Sequence, residues 1–163
     1  MRSPKYPLEL AVELREKKVD EAARTLERAS RERERAERQK AQSQQKCDAH
    51  GAAATRVRTS EQDALSRGRL RAADLSRTAA WEMRVARERE ALSDELSGAR
   101  AEEANARAAE IRAQEQVASR RAESQLVANH RTRWRDGQRE RVEAKEEEDS
   151  EEAWRWRPNK TQS

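Results

Sequence analysis

Arginines crowd around one indole in "HRTRWRDGQRER", residues 130–141. Guanidinium groups flanking Trp134 could contact phosphates while the ring stacks on a base. The next residues, "EAKEEEDSEE", would repel such a backbone. A simpler reading is a solvated helical face whose arginines pair with acids three or four residues away, Arg133 with Asp136 and Arg139 with Glu143. Alternating signs of this kind suit a charged protein partner better than nucleic acid.

Other reactive side chains are sparse. Cys47 is alone, which excludes an intrachain disulfide and fits a reducing compartment. His50 and His130 have no metal-ligand spacing. No Gly-rich phosphate loop, nucleophile elbow or metal signature occurs, and carboxylate pairs are so frequent that none is distinctive. The expectation is a chain that is not an enzyme and needs neither cofactor nor metal.

The elements that position these residues follow from composition. Charged residues make up 42% of the chain, hydrophobic ones 34% and aromatics 3%, too little large apolar surface to offset the entropy of a compact globule. Abundant Ala, Glu, Arg and Leu favour long helices that share a narrow seam. Pro4, Pro7 and Pro158 all lie in the terminal segments, so nothing between them forbids helix. With 36 basic and 32 acidic side chains the net charge is only +4, a mixed-sign surface. No apolar run approaches the ~20 residues of a membrane span, and "MRSPKYPLEL" lacks the apolar core of a signal peptide.

Two heptad frames can be laid on the chain. In the first, Val12, Val19 and Leu26 alternate with Ala22, Ala29 and Ala36, and the frame continues through Cys47, Ala54, Val57 and Ala64. It also places Arg33, Lys40 and His50 in the seam. In the second, Val85, Leu92, Ala99, Ala106, Ala113, Val127 and Trp134 follow one another, with Leu96 and Val117 at the companion position. Neither stripe is buried by its own helix. A reversal in "SRGRLRAADLSR", residues 66–77, would let each cover the other, with Gly68 supplying a positive φ and Asp74 or Ser66 a capping oxygen. Gly51 is a rival turn, but the heptad resumes after it. One uninterrupted helix is the other alternative, and it would need a partner chain.

The expected fold is therefore all-α: a long, rod-like, antiparallel two-helix coiled-coil hairpin in a single domain. Helix 1 runs over about 8–63, the turn over 64–71, helix 2 over about 72–153, and a flexible tail over 154–163. At ~1.5 Å per residue the helices would be on the order of 80 and 120 Å long, so helix 2 overhangs the N-terminus. Such a hairpin shields its own seam and should be a monomer on its own. Trp81 lies near the turn among Leu65, Leu70, Leu75, Ala79 and Met83, an apolar cluster that reads as a docking tip. Trp134, Trp154 and Trp156 lie toward the other end.

Three segments carry a family resemblance. "YPLELAVELREKKVDEAARTLERA", residues 6–29, resembles the opening of the stalk proteins of bacterial flagellar and type III secretion export, the FliJ and SctO/YscO family. "GRLRAADLSRTAAWEMRVARE", residues 68–88, is similar to that family's segment after the hairpin turn. "NHRTRWRDGQRERVEAKEEEDSEEA" resembles its C-terminal helix. The resemblance implies a cytoplasmic, non-catalytic stalk beneath the inner membrane. Its open end enters the pore of a hexameric export ATPase, its turn-side half meets the cytoplasmic ring of the export gate, and free export chaperones are further partners. It implies ATPase-side contacts at Leu14, Val19, Ala22, Leu26, Trp134 and Arg141, and gate-side contacts at Leu70, Leu75, Ala79 and Trp81. Nucleic acid and membrane insertion are not expected. The main rival is a structural coiled-coil scaffold that dimerises through the same seams.

Overall fold

Long tracts of Ala, Glu and Arg, free of proline, form two helices in the computed structural model, which describes residues 5–156 and all their side chains except those of Ala72 and Leu75. α1 spans Glu9–Ser66 and α2 spans Ala72–Arg155. They pack against each other as an antiparallel helical hairpin. α1 runs three residues past its expected end at 63, and α2 two past 153. Trp154 is therefore helical and not part of a tail.

The reversal lies at Arg67–Arg71, and backbone hydrogen bonds explain it. Gly68 has φ 62°, the left-handed conformation that ends a helix. Its N–H donates to Leu65 O at 3.0 Å and the Arg69 N–H donates to Ala64 O at 3.0 Å. Together these two bonds satisfy carbonyls that the last turn of α1 would leave open. At the start of α2, Asp74 Oδ2 accepts the Arg71 N–H at 2.9 Å, and the carboxylate complements the N-terminal dipole. Of the two capping oxygens expected, only Asp74 acts on α2; Ser66 Oγ turns back to donate to Asp63 O at 2.9 Å.

Gly68 and Gly98 should respond oppositely to alanine. Gly68→Ala forces a side chain into positive φ and lowers stability by about 1 kcal/mol. Gly98 is helical with nothing near an added Cβ, so Gly98→Ala raises stability by about 1 kcal/mol. Thermal unfolding followed by circular dichroism should shift by about 2–4 °C in each direction. Equal signs would refute the assigned turn.

Helix-to-helix contacts gather into two compact units. One comprises Arg24–Gln114; the other combines residues up to Ala23 with those from Glu115 onward. In the turn-side unit Ala29, Ala54, Val85, Leu96, Ala99 and Ala113 are buried. Small residues let the backbones approach closely, and longer charged residues bridge between them. Arg33 Nε lies 2.9 Å from Glu110 Oε2, and Lys40 Nζ lies 3.3 Å from Glu103 Oε2. The Arg33 N–H is not aimed at the carboxylate, so this pair is an ionic contact without a well-directed hydrogen bond. Further along, Glu95 Oε1 accepts from Ser43 Oγ at 3.2 Å and Lys46 Nζ at 2.7 Å. Cys47 Sγ donates to Leu92 O at 3.3 Å, and His50 Nε2 lies 3.1 Å from Glu88 Oε2. Arg33 and Lys40, seven residues apart, thus face Glu110 and Glu103, also seven residues apart, which selects one antiparallel register.

The terminal unit buries Tyr6, Val12, Ala22 and Val117. Arg15 pairs with Glu123, and Arg131 Nη1 lies 3.0 Å from Glu9 Oε1. Of the expected seam positions, Val57 is the outlier, with 39% of its surface exposed.

Candidate interaction surfaces

Around the turn, the apolar residues are only partly covered. Leu70 and Trp81 are half-buried, Ala79 is exposed, and Leu65 and Met83 are more than half exposed. Leu75 belongs to α2, but its side chain lies outside the described residues. The Trp81 ring carries the Arg58 guanidinium 5.9 Å from its centroid. Arg58 in turn donates through Nε and Nη2 to the two oxygens of Glu82, each at 2.6 Å. That bidentate contact holds the Glu82 carboxyl below its ordinary pKa and raises the Arg58 guanidinium. Hydrogen bonds from Lys46 and then Ser43 lower Glu95 in the same way. Thr78 Oγ1 closes the cluster by donating to Glu61 Oε1 at 3.1 Å. Trp81 is thus a half-buried ring beside the Arg58–Glu82 ion pair.

The loop itself carries a different chemistry. Arg67, Arg69 and Arg71 are all exposed, and none forms an ion pair among the described residues. Elsewhere in the unit arginines such as Arg33 and Arg58 are neutralised across the seam.

In the terminal unit the expected contact residues separate into two kinds. Ala22 is buried and Val19 half-buried, so both serve the seam, whereas Leu14 is 53% exposed. Leu10 and Leu8 add to this outward apolar surface. Leu26, in the turn-side unit, is half-buried. Trp134 is half-buried because Tyr6 packs edge-on against it, with centroids 5.5 Å apart and planes at 63°. The Tyr6 hydroxyl is 2.6 Å from His130 Nδ1, so the segment preceding α1 is pinned to α2. Sequence reasoning missed this clasp.

From Arg139 to Arg155 every residue of α2 is exposed, Arg141 included, and the region ends in Trp154 and Trp156 at 74% and 88% exposure. The seam positions here are polar or charged, with Gln138, Arg141, Lys145, Glu148, Glu152 and Arg155 continuing the heptad. The expected pairs Arg133–Asp136 and Arg139–Glu143 do not form among the described residues; Arg139 takes Asp136 instead, at the equally close three-residue spacing. No helix among the described residues is long and apolar enough to cross a membrane. No group of three or more potential metal ligands is gathered among them either. No family model, curated protein or solved structure matches this chain.

Proposed function

We propose that this chain is a non-catalytic stalk of a bacterial type III secretion export apparatus, placed in the cytoplasm beneath the inner membrane. It joins the pore of a hexameric export ATPase to the cytoplasmic export-gate ring, and free export chaperones are further partners. The observation that carries this reading is the α2 segment Arg139–Arg155, a fully exposed single helix beyond the α1–α2 seam. Such a helix offers scattered charges on all sides, which form shallow, screened contacts with a ring in place of one deep lock. Residues 139–153 of this segment also belong to the third stretch that resembles the stalk family, on a hairpin of the expected fold.

Trp134 supports the same choice over nucleic acid, because Tyr6 already occupies one approach to its ring. Leu14 and Arg141 remain open for the ATPase, and Leu70, Ala79 and Trp81 for the gate.

Binding and ATP hydrolysis with a hexameric export ATPase provide the test. The full chain should stimulate hydrolysis, and truncation after Arg139 should remove that stimulation. Leu70→Ala with Trp81→Ala should weaken gate-ring binding about tenfold or more while leaving stimulation unchanged. A folded chain that binds neither partner would overturn the proposal.

A further inference from the structure

Two surfaces of this chain have opposite charge, and most of their charged groups form no ion pair among the described residues. The first is the loop, where three arginines alternate at positions 67, 69 and 71 on a backbone fixed by the caps of both helices. The exposed Leu65 stands beside them. The second is the end of α2. Between Glu143 and Glu152 seven carboxylates face one cation, Lys145. Glu143 and Glu147 form no ion pair among the described residues, and Glu151 meets only Arg155, at 3.6 Å. In a helix these three acids are successive i,i+4 neighbours, an arrangement that repels and destabilises. Exposed Val142 and Trp154 add apolar surface to the same segment.

We propose that the acidic end of α2 docks on the arginine loop of a second copy of this chain, giving head-to-tail association. Spacing favours the match. Carboxylates four residues apart on a helix are separated by about 6 Å along its axis, and alternate residues in non-helical backbone by at most about 7 Å. The loop turns at Gly68, so its three arginines need not form a straight row. Their long side chains can still reach the acidic face of Glu143, Glu147 and Glu151, and each contact relieves the repulsion within α2. Every copy carries both surfaces, and their charges are complementary, so a second copy can supply the missing counter-charge to each. Because the contact joins unlike surfaces, it leaves one of each free and builds open chains of copies. The contact differs from a seam-sharing dimer, which buries the heptad stripes, and it does not depend on the stalk reading.

Sedimentation velocity of the full chain at about 0.02 M and about 0.5 M salt tests the contact. Association should appear at low salt and weaken tenfold or more at high salt, where the chain is monomeric. Two triple variants probe the pairing: Arg67→Glu, Arg69→Glu, Arg71→Glu, and Glu143→Lys, Glu147→Lys, Glu151→Lys. All six side chains are exposed, so both variants should retain native helicity. Neither should associate alone, and mixing the two should restore association. A native chain that stays monomeric at low salt overturns the proposal. So does association that survives either reversal, or a mixture that fails to associate while both variants remain helical.

Discussion

Reversing Glu103 and Glu110 to lysine together should lower the melting temperature by roughly 10 °C. Each reversal sets two positive charges against each other across the seam, at position 103 opposite Lys40 and at position 110 opposite Arg33, in place of ion pairs at 3.3 and 2.9 Å. The acids are well covered, at 17% and 15% side-chain exposure, and the bases less so, at 36% and 31%. Breaking a fully buried pair costs about 3–5 kcal/mol, and the partial exposure here reduces that to about 2 kcal/mol for each. Adding Arg33→Glu and Lys40→Glu should recover most of the loss, because the swapped pairs face each other in the same register. Small losses without any recovery would mean that these charges are merely solvated at the edge of the seam. Leucine at all four positions makes a separate test. Stability should hold or rise, since apolar replacements of paired charges are often neutral or stabilising. Alignment should suffer, because a uniform apolar stripe accepts slipped and intermolecular pairings. Light scattering would then detect dimers in a chain otherwise monomeric at high salt.

Removing the tyrosine that precedes α1 should have the next largest effect. Tyr6 is 6% exposed, lies edge-on to Trp134 and reaches His130 through its hydroxyl. Tyr6→Ala should cost about 3 kcal/mol in the terminal unit, read as faster hydrogen exchange over Glu9–Leu14. Tyr6→Phe keeps the ring and loses only the hydrogen bond, so its cost should be about 1 kcal/mol. A double-mutant cycle with Trp134→Ala should show coupling of about 1 kcal/mol between the rings. Independent, additive losses would show that the two rings do not support each other.

Legibility differed from one part of the molecule to another. The α1 stripe was readable because a seven-residue repeat survives even where its members are Arg33, Lys40 and His50. Their partners were overlooked although the signal was present: Glu103 and Glu110 stand at seven-residue steps between Leu96 and Val117, the companion position of α2. Charged residues in a heptad core position announce complementary charges opposite, and apolar counting passes over them. Val57 shows the reverse error, an apolar residue at the right spacing that remains 39% exposed.

Composition and period by themselves pointed to long helices and favoured a reversal beside Gly68 over Gly51 or an uninterrupted helix. Helix propensity, proline placement and glycine's access to positive φ are local properties, written in residues that are neighbours along the chain. The clasp of Tyr6 on Trp134 and His130, the choice of Glu110 for Arg33, and the stacking of Arg58 over Trp81 were decided only by the tertiary structure. Those contacts join residues 23 to 128 positions apart, and nothing local distinguishes one arginine or glutamate from the many others. Selection among chemically identical candidates requires the register of one helix on the other, which only packing supplies.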